Sequence, residues 1–477
     1  MQRKNLKPLL GIVVLITITG IAMAYANRVQ SLRPGSTAPG PEIVSTRTGV
    51  VTIAGQLIQN KVLQGSEGLV DLTLTLAADD VGESTPEEAR NVDMLIVLDR
   101  SGSMQGPKLE KARAALLNLL STLSPRDRLG LIAYSNSVRQ LSDLLPLTAA
   151  HRERLASRVA GIQAGGGTNL GAGLQAGIDM LLAASPNGNA RKVILISDGL
   201  ANQGITDSRA LANMAAVAVV KEFSVSTVGV GADFNEDLMA SIADRGAGNY
   251  YYLANPAAFA EVFQNEFYYA QAAVATGLSI RIPLPSGIAL VRASGYPLER
   301  EDNQAVFFPG DLRSGQTRKI FLTLRVPTHQ TQEFEIGRIN VRYLHKGQPH
   351  EAALPDAFTI ACVANPQEVF TSIDKAAWTE KVIKEDFNRL KQEVAADIKA
   401  GKKDQALHRI EKYYGEQEKL NDAVGSAGVT ENLNKDLGEL RTRVNATFQG
   451  APAAVEHKQK STAKALQYEG YRGRRLN

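Results

Sequence analysis

Asp93-Met94-Leu95-Ile96-Val97-Leu98 runs directly into Asp99-Arg100-Ser101-Gly102-Ser103-Met104. The first half is apolar almost throughout, as in a parallel strand buried on both faces. The second half then places one carboxylate and two hydroxyls on the loop that leaves the strand's C-terminal end. Open α/β sheets bind their ligands at that edge. Small hard oxygens suit a hard divalent ion such as Mg²⁺. A cysteine or histidine would point to zinc, and neither is in the motif.

Two further segments bring the same chemistry. Thr168, in Gly165-Gly166-Gly167-Thr168-Asn169-Leu170, stands just before a stretch with helical spacing. Asp198, in Ile194-Leu195-Ile196-Ser197-Asp198-Gly199, leaves a second apolar strand. Two strand ends and one helix N-terminus thus supply two carboxylates and three hydroxyls. Mg²⁺ takes six oxygens near octahedral geometry and often keeps waters. Neutral hydroxyls leave much of its charge uncompensated, so such an ion attracts a carboxylate from another molecule. The same residue types also cap helices and turns, and Thr168 is placed for such a cap.

Working outward, the region from Asn91 to Phe267 alternates strands with helices. Strands are expected at Met94–Leu98, Leu129–Tyr134, Lys192–Ile196, Ser224–Val230 and Tyr250–Leu253. Helices are expected at Pro107–Leu120, Leu170–Ala184, Ser208–Glu222 and, behind an Asn235 cap, up to Ala243. This pattern implies an α/β fold, a Rossmann-like and mostly parallel sheet with helices on both faces.

Here the chain resembles the von Willebrand factor type A domain family. Asp99-x-Ser101-x-Ser103, Thr168 and Asp198 match its metal-ion-dependent adhesion site in order, type and spacing. By that resemblance Ser101, Ser103 and Thr168 coordinate the ion directly, and Asp99 and Asp198 do so directly or through water. Mg²⁺ is the expected metal, with Mn²⁺ or Ca²⁺ as alternatives, since nothing in these residues selects among them. The family mostly binds ligands and assembles rather than catalyses. The flanking sequence also resembles bacterial exported proteins that carry this domain between β-strand segments. Many of those are labelled calcium-activated chloride channel homologues or inter-alpha-trypsin inhibitor heavy chain-like. No channel activity is carried over, because one span with no charge within it cannot form a pore alone.

At 477 residues the chain is long enough for several domains. The 42–90 segment reads as strands, and 268–363 as an antiparallel β-sandwich with strands at Leu278–Ile282, Ile288–Val291, Ala305–Phe308, Arg318–Val326, Glu335–Tyr343 and Phe358–Val363. The strands before Asn91 are too few to bury a core alone, so they are expected to complete this sandwich. The α/β domain, 91–267, is then an insertion in it. Residues 364–448 read as packed helices, with Gly401 ending one and Thr430 capping another. Residues 449–477 are basic and polar and read as a disordered tail.

Arg3, Lys4 and Lys7 precede 18 uncharged residues, Leu9–Ala26, which end in Ala24-Tyr25-Ala26. This 1–26 segment reads as a cleaved secretory signal or a retained single anchor, and both send the rest of the chain outward. Residues 27–41 read as a Ser/Gly/Pro linker. One cysteine, Cys362, excludes an internal disulfide, which suits a bacterial periplasm or the outer side of the inner membrane. A formal charge of +4 on this length argues against a nucleic-acid partner.

The reading that unites these features is an exported, divalent-metal-dependent protein-binding protein. Its metal would complete its shell with an exposed Asp or Glu of a partner protein. Membrane contact would come through the N-terminal segment if it stays uncleaved. An envelope scaffold that binds through its helical region is the alternative. A metal-dependent hydrolase is disfavoured, because no nucleophile–His pair or general base accompanies the motif. Asn136 and Asn202 follow strand exits and either orient the metal loops or simply form turns. Arg100 reads as a solvated charge or as a group favouring acidic ligands.

Overall fold

A computed structural model describes residues 42–82, 90–185 and 187–475. The expected signal or anchor, the linker and most of the acidic loop before Arg90 lie outside the described residues. Four strands come first: β1 (Val44–Thr48), β2 (Val51–Leu57), β3 (Lys61–Leu63) and β4 (Leu69–Ala78). In β2 buried residues alternate with half-buried ones, the period of a sheet with one face on a core.

The α/β domain follows as β5 (Val92–Asp99), α1 (Pro107–Thr122), β6 (Arg128–Tyr134), β7 (Val138–Pro146), α2 (Ala149–Ala160), α3 (Leu170–Ala183), β8 (Ala190–Ser197), α4 (Ser208–Ala215), β9 (Ser224–Val230), α5 (Glu236–Arg245), β10 (Ala247–Leu253) and α6 (Phe259–Gln271). Its sheet has the order β10-β9-β8-β5-β6-β7 and is parallel except for the edge strand β7. All eight residues of β5 are buried, so the apolar run sits at the centre of the sheet. From β5 the chain first moves one way, to β6, and later returns to the other side, to β8. The C-terminal ends of β5 and β8 therefore flank the point where the strand order reverses, where such sheets open a crevice. Strand β7 and helix α2 were not foreseen. The buried positions of β7 are irregular, and bulges break its pairing with β6.

Strands resume with β11 (Ala273–Pro283), β12 (Ala289–Ala293), β13 (Glu299–Glu301), β14 (Gln304–Phe307), β15 (Leu312–Arg313), β16 (Thr317–Arg325), β17 (Gln332–Ile336), β18 (Asn340–His345), β19 (Gln348–Ala353) and β20 (Phe358–Val363). Leu69–Ala77 of β4 runs antiparallel to Thr317–Arg325 of β16, in a sheet ordered β1-β2-β4-β16-β12. The strands before the α/β domain and those after it thus share one sheet. A second sheet, β13-β14-β11-β18-β19, contributes to the same core, in which Leu72, Leu74 and Leu76 join Ile280, Phe307, Ile320 and Leu322. The single strand expected over Glu335–Tyr343 is two. Gly337 separates them beside Pro283, and β17 pairs with β20 in a third sheet.

The C-terminal region comprises α7 (Pro366–Thr371), α8 (Lys375–Lys381), α9 (Phe387–Lys399), α10 (Lys403–Val424), α11 (Ala427–Glu431), α12 (Leu437–Thr447) and α13 (Pro452–Arg475). π-helical turns at Val382–Asp386 and Asn432–Asp436 join α8 to α9 and α11 to α12. Gly401 does end α9, with φ at +71°. The cap of the later helix is Ser426, which accepts from Val429 N, while the Thr430 hydroxyl donates back to Ser426 O. Trp378, Leu390, Val394, Ile410 and Leu440 share one core.

The expected disordered tail is a correction. Residues Pro452–Arg475 form a 24-residue helix that buries Ala463, Lys464, Leu466, Gln467, Gly470, Tyr471 and Arg475. Lys464, Gln467 and Arg475 interrupt that buried stripe with polar groups, so it reads as solvated in a sequence. Its charges are paired instead with residues of the α/β domain far away in the chain. The small Gly470 lets α13 lie directly on α9, where an added Cβ would stand 2.4 Å from Asn388 O.

Candidate metal centre

Asp99 is the last residue of β5 and is fully buried. Its Oδ1 accepts from Ser101 N at 2.7 Å and its Oδ2 from the Ser197 hydroxyl at 2.8 Å. These bonds fold the loop back over the strand end and point the two serines at one place. Burial pushes the Asp99 carboxyl above its ordinary range despite those donors, and the Asp198 charge adds to the rise.

Ser101 Oγ lies 3.0 Å from Ser103 Oγ, and Ser103 Oγ donates to Asp198 Oδ1 at 2.7 Å. That donation makes Ser103 the acceptor from the Ser101 hydroxyl and leaves it one further lone pair. Thr168 Oγ1 and Ser103 Oγ each stand 3.4 Å from the position a Cβ on Gly199 would take. The glycine after Asp198 therefore keeps open the space onto which the hydroxyls converge. Asp99, Ser101, Thr168 and Asp198 are buried, while Gly102, Ser103, Gly166 and Leu200 are exposed at the rim. All five expected residues are thus brought to one site at the C-terminal ends of β5 and β8.

The Thr168 loop is held from both sides. Gly102 N donates to Gly166 O at 2.9 Å, and Gly165 N to Arg100 O at 2.8 Å. Asn136 Oδ1 accepts from Gly167 N. Asn202 Oδ1 accepts from Thr168 N at 2.9 Å, and Asn202 N donates to Thr168 O at 3.1 Å. Both asparagines therefore fix the loop that carries Thr168. Asn169, not Thr168, caps α3 through Ala172 N, which leaves the Thr168 hydroxyl available.

Two cis ligands of an octahedral ion at 2.0–2.1 Å stand about 2.9 Å apart. The 3.0 Å separation of the serine hydroxyls fits that edge. Among the described residues no group of three or more His, Cys, Asp or Glu is placed to hold an ion. The donors gathered here are instead two carboxylates and three hydroxyls, which suits a hard ion that keeps waters and an outside ligand.

Sequence reasoning missed two participants. Ser197 reads in the sequence only as the residue before Asp198, yet its hydroxyl holds Asp99. Lys108 reads in the sequence only as a helix residue, yet its Nζ lies 2.5 Å from Asp198 Oδ2 and 3.3 Å from Ser103 O. Below the site, α6 is pinned to the sheet by Glu266, which is fully buried. Its carboxylate takes Lys192 Nζ at 2.7 Å and the Ser226, Asn249 and Tyr251 side chains at 2.6 Å each.

The fold and this site define a class. Residues 93–265 are a von Willebrand factor type A domain, matched by the model of that family. The class of function this indicates is protein–protein interaction or adhesion. Human inter-alpha-trypsin inhibitor heavy chain H4 is 33% identical over 157 residues, 32% of this chain and 17% of that protein. An uncharacterized protein of Synechocystis sp. is 26% identical over 288 residues, 58% of this chain and 66% of that one. The chain thus spans only a minor part of the heavy chain. A solved von Willebrand factor type A protein from Catenulispora acidiphila superposes with a TM-score of 0.65 at 18% identity, covering 90% of this chain and 98% of that one. Coverage that broad extends the shared fold to the sandwich and helical regions.

Proposed function

We propose that this chain is an exported protein that binds partner proteins through a divalent metal held by Ser101, Ser103 and Thr168, with Asp99 and Asp198 behind them. The observation that carries the reading is the convergence of the Ser103 and Thr168 hydroxyls on the space over Gly199, with Ser101 Oγ 3.0 Å from Ser103 Oγ beside it. Bound there, Mg²⁺ would supply an incompletely neutralised positive charge at the surface. The residues around it hold their hydroxyls still, keep Asp99 from solvent and leave the rim open at Ser103. A carboxylate from a partner's exposed Asp or Glu is the ligand such a site favours. No catalytic residue is assigned. Export rests on Arg3, Lys4 and Lys7 ahead of Leu9–Ala26, and the bacterial cell envelope is the proposed location.

Calorimetric titration of Mg²⁺ into the protein, beside Asp99→Ala and Thr168→Ala, tests the reading. Saturable binding that is lost in both variants is the expected result. Binding of equal strength in all three proteins would place the metal elsewhere and overturn it.

A further inference from the structure

We propose that Lys108 is a tethered cation that closes the metal centre, and that a divalent ion must displace its ammonium to load. The proposal rests on the reading of this site as a metal centre.

Lys108 is the second residue of α1, five residues beyond Ser103. Its Nζ reaches back to Asp198 Oδ2 at 2.5 Å and to Ser103 O at 3.3 Å. Its stem crosses the exit of β9, where a Cβ on Gly231 would stand 3.3 Å from Lys108 Cε and 3.5 Å from Nζ. Gly231 has φ of +76°, so a glycine is suited to that turn and also clears the path of the lysine. The ammonium is thus seated by three segments, the motif loop, the β8 exit and the β9 exit.

The two oxygens of Asp99 are taken by Ser101 N and the Ser197 hydroxyl. One oxygen of Asp198 is taken by the Ser103 hydroxyl. The remaining oxygen of Asp198 is the one carboxylate position here that uncharged donors leave to a cation, and Lys108 holds it. The Asp198 side chain is fully buried, so without a counter-charge its carboxylate would be costly. A divalent ion drawn to that oxygen meets the ammonium at hydrogen-bond range, and like charges so close repel strongly away from bulk water. The Lys108 side chain is 25% exposed and flexible enough to swing outward. The lysine then acts as an internal competitor. It keeps the loops assembled without metal and weakens metal affinity.

Two measurements on the full chain test this. Mg²⁺ titration of Lys108→Met, beside wild type and Lys108→Arg, should give binding at least about tenfold tighter in the methionine variant alone. Amine acetylation of wild type, read by mass spectrometry at Lys108, should become several-fold faster when Mg²⁺ is saturating. Equal or weaker binding in Lys108→Met overturns the proposal and leaves the metal reading standing. Unchanged acetylation of Lys108 on loading also overturns it, and that arm needs no variant to fold. No Mg²⁺ binding by either wild type or Lys108→Met overturns both readings together.

Discussion

Lys464, midway along α13, places its ammonium 2.6 Å from the carboxylate of Glu236 at the start of α5, and both side chains are buried. The same ammonium donates to Phe234 O at 2.8 Å. Glu236 also takes Lys399, at the end of α9, at 2.7 Å. One carboxylate thus ties the inserted domain to two helices of the C-terminal region. Arg475 repeats the arrangement at the far end of α13, pairing with Asp244.

Breaking that tie should cost stability. Glu236→Gln leaves the buried Lys464 ammonium without its counter-charge, and the expected loss is about 3 kcal/mol in urea unfolding. Replacing both partners, as Glu236→Leu with Lys464→Met, should restore most of it, because well-packed apolar groups need no partner. A single variant as stable as wild type would show that α13 is held by packing alone.

The same tie gives a pH dependence. Burial alone would raise the Glu236 carboxyl, but Lys399 and Lys464 together hold it below the ordinary carboxylate value. A group with a lower pKa folded than unfolded stabilises above its unfolded value, and loses that effect as pH falls through the folded one. The stability gap between wild type and Glu236→Gln should therefore be flat above about pH 5 and shrink below about pH 4. Denaturant titrations across that range check it. A gap that widens on acidification would have the wrong sign.

Close approach of α13 to α9 makes a third expectation. A Cβ on Gly470 would stand 2.4 Å from the backbone oxygen of Asn388, so Gly470→Ala should destabilise by about 1–3 kcal/mol, although alanine favours helices. Thermal unfolding reads it directly. A gain in stability would mean that the two helices are less closely packed than described.

Metal binding and folding should separate at the centre. Thr168→Ala removes a hydroxyl, while Asn202 still holds the backbone of that loop. Its thermal midpoint without metal should stay near that of wild type, and the rise on adding Mg²⁺ should vanish. At metal concentrations about 100 times the Kd, wild type should gain about 2.7 kcal/mol. Asp99→Ala should lose both, because Asp99 anchors Ser101 N and Ser197 Oγ.

Much of this architecture was legible in the residues. The apolar runs at 94–98 and 192–196 become adjacent central strands, so the spacing of Asp99, Ser101, Ser103, Thr168 and Asp198 translates into proximity. Strand alternation in β2 and β4 was readable because each has a face on one core. What escaped depended on partners distant in the chain. The buried stripe of α13 looks solvated until Glu236 and Asp244 are seen beneath Lys464 and Arg475. Lys108 looks like an ordinary first-turn lysine, and only the fold turns its ammonium onto Asp198. Ser426 and Thr430 are equally good caps by residue type, and the π-turn at 432–436 decides between them by carrying the helix on past Thr430.

The most direct test of the central claim is an anomalous difference map from crystals soaked in Mn²⁺. The expected result is a peak about 2.2 Å from the hydroxyl oxygens of Ser101, Ser103 and Thr168, in the space over Gly199. Metal density at full soak that avoids those three hydroxyls would contradict the assignment of this edge of the sheet as the metal centre.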